Sequence, residues 1–261
     1  MTNNYIKTPS FYNNEAYFNK YLGCTSYYLS LQNVVAKMVD MIQPNRVLEL
    51  GCALGTTSLM LAKKFKHVNF IGADIRGDIV KKANDSANGF DNLEFITCDM
   101  CSYVSTENIA DYDLIFLLYS FHHIIDPLDN KILFLKDCFK NMKKGSYLLI
   151  TETFIPEDCI NLEEDDKIKD LFKLRSEEGY ASTFWAALES LSEEGLGLAK
   201  SVAMISRSEE TKAGELVYER KDEYLVKLSW LIEKAEEIGF QVLISEPVNS
   251  IMEEVVLLRK I

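Results

Sequence analysis

Histidine is scarce in this chain, with three in 261 residues, and long apolar runs are absent altogether. The longest apolar stretches are strand-sized and no signal peptide is readable, so a cytoplasmic protein without a membrane partner is expected. Basic charge is also in short supply. Lys and Arg number 28 against 40 Asp and Glu, giving a net charge of −12 and a pI near 4.8. The pairs Lys63-Lys64 and Lys143-Lys144 read as solvated helix ends. An extended nucleic-acid footprint needs clustered Lys and Arg, so no nucleic acid is expected as a partner. The six cysteines, at 24, 52, 98, 101, 138 and 159, show no disulfide framework. Cys98-Asp99-Met100-Cys101 is a C-x-x-C, but a zinc site would need about two further ligands at suitable spacing. The pair does not open the first helix of a thioredoxin-like unit either, so both are read as strand-end cysteines and no metal is expected.

Two glycine signatures are missing as well. A dinucleotide fold wants Gly-x-Gly-x-x-Gly, and counted from Gly51 its second and third glycines would be Ala53 and Thr56. A phosphate-cradling loop would put Lys and then Ser or Thr after the last glycine, where this chain has Thr56-Thr57. What is present is Val47-Leu48-Glu49-Leu50-Gly51-Cys52-Ala53-Leu54-Gly55 followed by helix-forming Leu59-Met60-Leu61-Ala62. That is a buried strand, a glycine-pinned turn and a helix, with Glu49 placed to meet a positive charge.

Further strand ends carry acids. Val68 to Ala73 is an apolar run ending at Asp74, 23 residues after Gly51, near the ~20-residue interval at which a carboxylate meets ribose hydroxyls. Leu93 to Thr97 ends at Cys98-Asp99-Met100, where Asp99 can accept from an exocyclic N–H and Met100 offers an apolar face to a ring. Asp after a strand is also a common turn former. Tyr112 to Tyr119 is a near-continuous apolar run suited to a strand buried on both faces, and it exits through Ser120-Phe121-His122-His123-Ile124-Ile125-Asp126-Pro127.

The ordered set of these segments resembles the class I S-adenosylmethionine-dependent methyltransferases. Glu49 to Gly55 resembles their motif I, acidic-x-Gly-x-Gly-x-Gly, with Ala53 in place of the middle glycine. The resemblance implies S-adenosyl-L-methionine as cofactor, bound by Glu49, Gly51, Cys52, Ala53, Gly55, Asp74, Ile75, Asp99, Met100 and Tyr119, with Asp99 at the adenine amino group. The His-His segment resembles the loop that borders the methyl-acceptor site in small-molecule members. His122 or His123 is therefore the candidate base, with Tyr119 and Glu152 as polar neighbours at strand ends. At most one of two adjacent histidines is expected to face an acceptor. A phenol of pKa ~10 gains from a neutral histidine near ~6.5, whereas a carboxylate near ~4 is already ionised.

The fold expected is α/β, a doubly wound, mostly parallel seven-stranded sheet with a final antiparallel strand. Strand and helix patterns alternate through Ser146 to Thr151. The runs 240–245 and 254–259 are separated by too few residues for a parallel crossover, so they are expected to pair antiparallel. An apolar-periodic helix is read over 222–238, closed by Gly239. Residues 1–43 read as an N-terminal helical arm whose aromatic-rich start, Tyr5 to Tyr28, packs on the sheet or covers the cofactor. Residues 44–151 and 222–261 form the cofactor-binding core. Residues 152–221 read as a helical cap inserted after the fifth strand, serving acceptor specificity, dimerisation or both, with Arg175 and Trp185 as candidate acceptor contacts. The expected reaction is methyl transfer to an O or N atom of a small molecule, in the setting of secondary metabolism. The alternatives are a carboxyl O-methyltransferase acting on a peptide, and a noncatalytic cofactor-binding or scaffolding protein that retains the fold.

Overall fold

The computed structural model describes residues 26–124, 127–154, 209–210, 216–220, 223–247 and 253–261. Helix α1 (Ser26–Ile42) leads into a repeating strand and helix pattern: β1 (Arg46–Leu50), α2 (Thr56–Lys64), β2 (Asn69–Asp74), α3 (Gly77–Ser86), β3 (Leu93–Thr97), α4 (Met100–Val104), β4 (Leu114–Leu118), α5 (Pro127–Asn141) and β5 (Tyr147–Thr153). A short 3-10 turn, Phe121–His123, sits between β4 and α5. Three short strands follow, β6 (Glu209–Glu210), β7 (Leu216–Arg220) and β8 (Glu223–Leu225), and then α6 (Leu228–Ile238), β9 (Phe240–Pro247) and β10 (Glu253–Lys260).

Seven strands form one sheet in the order β3-β2-β1-β4-β5-β10-β9. Neighbours from β3 to β5 run parallel. β10 lies antiparallel between β5 and β9. The central strands β1, β4 and β5 read as largely apolar runs because both faces are covered. Leu48, Leu50, Ile115, Leu117, Leu148 and Ile150 point into a core shared with α5 and α6. Val47, Leu114, Phe116, Leu118 and Leu149 point the other way, onto Leu31, Val35 and Val39 of α1 and Leu61 of α2. Successive residues therefore serve opposite faces, as the pleat requires.

Two expectations change at the end of the insertion. Leu225, expected in a helix over 222–238, lies in β8, and α6 starts only at Leu228. β8 pairs antiparallel with β7, only two residues separating them, and that hairpin takes the backbone hydrogen bonds a helix start would have used. Within 152–221, expected as helical, Glu152 and Thr153 complete β5, while 209–210 and 216–220 are strands. The remainder of that segment, with Arg175 and Trp185, lies outside the described residues, as does the arm before Ser26. No helix among the described residues is long and apolar enough to cross a membrane.

Candidate functional site

The strand order turns back on itself at β1, whose neighbours are β2 on one side and β4 on the other. Register brings the carboxyl ends of these strands to one edge, with Leu50 beside Ala73, Asp74 beside Thr97 and Leu118 beside Thr151. In open α/β sheets the crevice outside such a switch point is the ligand site.

The loop after β1 is pinned by its own backbone. Gly51 N and Cys52 N both donate to Ala73 O, at 2.8 and 3.0 Å, and Gly55 N donates to Cys52 O at 2.8 Å. Gly51, Ala53 and Gly55 alternate through the left-handed region at φ 79°, 47° and 73°. A Cβ on Gly51 would stand 2.4 Å from Ser120 Cβ, and one on Gly55 would stand 2.2 Å from the Phe95 ring. Glycine is needed at both for space as well as for φ. Ala53 keeps the conformation that a middle glycine would have given, held by Asp74 Oδ2 accepting from Ala53 N at 2.9 Å. An L-residue there costs on the order of 1 kcal/mol, part of which glycine would return as unfolded-chain entropy. Ala53→Gly is accordingly expected to raise the thermal midpoint by up to about 3 °C. A drop of several degrees in a melting curve would show that the Ala53 methyl makes packing the backbone argument omits.

Acidic groups converge under this loop. Glu49 is 2 % exposed, accepts a 2.5 Å hydrogen bond from Ser58 Oγ, and burial pushes its carboxyl up to about 8, with Asp74 adding to the rise. Ser58, nine residues on in α2, was not visible in the sequence as its partner. Asp74 is half-buried and raised by the same desolvation; its second oxygen accepts from Arg76 N at 2.9 Å. An ionised carboxylate has about four lone-pair sites, so two backbone bonds leave acceptor capacity for hydroxyls. Beside it Ile75 is 46 % exposed, a large apolar side chain at the mouth of the crevice. Asp99 caps α4, its Oδ1 accepting from Ser102 N at 2.6 Å, so the turn-forming role stated for such an aspartate is realised here. Met100 starts that helix, half-buried. Cys98 and Cys101 are free thiols. Burial and the nearby Asp99 push them up to about 11 and 12, so neither is a thiolate at neutral pH.

The other wall is the exit of β4. Tyr119 is left-handed at φ 52° and donates its N–H to Thr151 O at 3.0 Å. A bulky residue at positive φ is strained, and it redirects the chain into the turn carrying the histidines. His122 is 8 % exposed; its Nδ1 lies 2.8 Å from Glu152 Oε1 and its backbone N–H donates to Glu152 Oε2 at 3.1 Å. With Glu152 as a carboxylate, Nδ1 carries the hydrogen and Nε2 is left as the basic nitrogen. His123 is half-buried, its ring 4.2 Å from that of His122 at 60°. The expected neighbours Tyr119 and Glu152 therefore do stand on either side of the turn. Lys131 was not foreseen. It is fully buried in α5, and its Nζ donates to Phe121 O at 2.7 Å and Ile124 O at 2.9 Å. The signal was there: Lys131 shares the helix stripe of Leu128, Leu135 and Cys138, which packs into the core.

Residues 44–213 match the protein family described as "Methyltransferase domain". The chain belongs to that family, and its fold is that of the class I S-adenosylmethionine-dependent methyltransferases. It is similar to a 23S rRNA (uracil-C5)-methyltransferase of Marinomonas sp. strain MWYL1, at 35 % identity over 81 residues, or 29 % of this chain and 18 % of that one. It is also similar to malonyl-[acyl-carrier protein] O-methyltransferase 2 of Ilyobacter polytropus, at 32 % over 121 residues, or 46 % of this chain and 44 % of that one. Among solved structures it superposes on the mitomycin 7-O-methyltransferase MmcR with TM-score 0.60 at 15 % identity, covering 97 % of this chain and 61 % of that one. The matches thus span under half of these two relatives. The residues at the crevice fit the family's cofactor: bare left-handed backbone at Gly51 to Gly55, a buried carboxyl at Glu49, Asp74 at the next strand end and exposed Ile75 beside it.

Proposed function

We propose that this chain transfers a methyl group to an O or N atom of a small-molecule acceptor, with His122 as the general base. The observation that carries the reading is the His122–Glu152 pair at the exit of β4, across the switch point from the glycine loop. S-adenosylmethionine, when bound, supplies a methyl already activated on a sulfonium. Gly51, Cys52, Ala53 and Gly55 would give it backbone to lie against, Asp74 would take ribose hydroxyls, and Ile75, Asp99 and Met100 would hold the base. Glu49 would meet its positive charge, and Tyr119 would border both cofactor and acceptor. What remains for the protein is to align the acceptor, exclude water and accept a proton. His122 Nε2 takes that proton while Glu152 steadies the imidazolium. The segment 152–221, with Arg175 and Trp185, supplies acceptor specificity or a homodimer contact.

A second reading is methylation of a carboxylate, as on a peptide. The similarity to a malonyl-[acyl-carrier protein] O-methyltransferase favours it. Such an acceptor is ionised near neutrality and has no proton to give up. Calorimetric titration with S-adenosylmethionine and with NAD tests the cofactor half of the proposal. Binding of the first alone, weakened at least tenfold in Asp74→Ala, is expected. Absence of S-adenosylmethionine binding would remove the whole assignment. A screen of phenols, amines and carboxylic acids against methyl-labelled cofactor then decides between the two acceptor classes.

A further inference from the structure

We propose that Lys131 is a positioning residue of this site, holding the turn that carries His122 and competing for the charge of Glu152 so that His122 stays a neutral base. The inference rests on the reading of His122 as the base. One peptide group shows the arrangement. The carbonyl of Phe121 accepts from Lys131 Nζ at 2.7 Å, while the N–H on the other side of the same peptide bond, that of His122, donates to Glu152 Oε2 at 3.1 Å. A lysine from α5 and a glutamate from β5 thus grip the same peptide from opposite sides. Lys131 also closes the far end of the turn through Ile124 O at 2.9 Å, and its ammonium lies 4.7 Å from the centre of the Phe121 ring.

A lysine with no exposed surface is rare, and an aliphatic residue would pack there at less cost. Two carbonyl oxygens could be served by any donor, so the charge calls for an account of its own. Glu152, itself 2 % exposed, is a buried carboxylate hydrogen-bonded to an imidazole. A carboxylate beside an imidazole favours the imidazolium, which has no lone pair left to take a proton from an acceptor. A cation that interacts with the same carboxylate opposes this. The groups that act on the Lys131 charge are Glu152 from β5 and Cys101 from α4; β8, which packs against the turn, carries Glu223 and Tyr224. The Cys101 thiol stays uncharged, so Glu152 is the anion that matters. Burial pulls Lys131 down to about 7 even though Glu152 pushes the other way, so Lys131 loses its charge in the same range in which a histidine titrates and the two titrations are coupled through Glu152.

The test is a pH titration of the histidine ring carbons by NMR in the full chain, feasible because there are only three histidines. Lys131→Met removes donor and charge, and Lys131→Gln keeps a donor without the charge. In both, the His122 midpoint is expected to rise by about 0.5–1 pH unit while His67 stays where it was. A merely structural lysine would leave the His122 midpoint unchanged in Lys131→Gln, and that result would overturn the proposal. Should neither variant fold, the wild type serves: labelled lysine and histidine carbons are followed together. A shared inflection in the Lys131 and His122 curves is expected, and independent curves would overturn the proposal equally. Failure of the methyl-transfer reading looks different, since no acceptor would be methylated while the His122 shift persisted.

Discussion

His122→Ala is expected to leave S-adenosylmethionine binding intact and to slow methylation of a phenol or amine by about 10²–10⁴-fold. The two halves of that expectation come from separate parts of the structure. The glycine loop is fixed by Ala73 O, Asp74 and Ser120, whose Oγ donates to Leu50 O at 2.5 Å. None of these passes through the His122 ring. The turn itself is held from Lys131 and from the backbone N–H of His122, which alanine retains. His123→Ala removes a ring tilted 60° against that of His122 at 4.2 Å, and about a tenfold loss or less is expected. Glu152→Gln keeps the shape and deletes the charge that supports an imidazolium, so it should fall between the two in effect. Initial rates with labelled cofactor, run beside calorimetry on the same preparations, check all three. A carboxylate acceptor gives the opposite pattern, with His122→Ala retaining most of its rate, and would move the assignment to the second reading. Equal rates for His122→Ala and wild type on a phenol would exclude His122 as the base.

Much of this fold was legible because each core strand is covered on both faces and reads as an apolar run, as in Leu114 to Leu118, all buried. The pairing of β9 with β10 followed from chain length between them. The short strands did not announce themselves. β8 has three residues, too few for alternation to show, and Leu225 fell on the helical spacing of the segment that follows. At the site, residue types were legible and partners were not. Glu49 and His122 stood out, but Ser58 and Lys131 meet them only through the packing of α2 and α5. Ala53 shows the same limit from the other side. Its side chain departs from the glycine pattern, while its backbone, at φ 47°, does not. Asp99 read as an acceptor for an exocyclic N–H or as a turn former, and its role in capping α4 through Ser102 N shows only once the helix is in place.

The binding of S-adenosylmethionine is expected to tighten as pH rises toward 8 and to level off above it, and Glu49→Gln should abolish that dependence. In the ligand-free protein Glu49 is held at about 8, chiefly by burial, so near neutrality most molecules carry it protonated. A cofactor with a positive charge favours the ionised form, which lowers the pKa in the complex. Binding then releases a proton between the two pKa values, and affinity climbs there by at most tenfold per pH unit. Stability runs the other way. The folded state keeps a proton that the unfolded chain gives up above its ordinary 4.5, so the contribution of Glu49 to stability falls as pH rises from about 4.5 to about 8. Each unit in that window costs up to about 1.4 kcal/mol. Glutamine at this position accepts from Ser58 without a charge to bury. Glu49→Gln should therefore melt progressively higher than wild type as pH rises through this window, while binding cofactor at least tenfold more weakly at pH 8. Calorimetric titrations and melting curves at pH 6, 7 and 8 measure both. A variant that loses binding and stability together would mean Glu49 braces the loop through Ser58 and does not meet the charge of the cofactor. A variant that gains stability while losing affinity would identify a buried acid kept at the expense of the fold for the sake of the ligand.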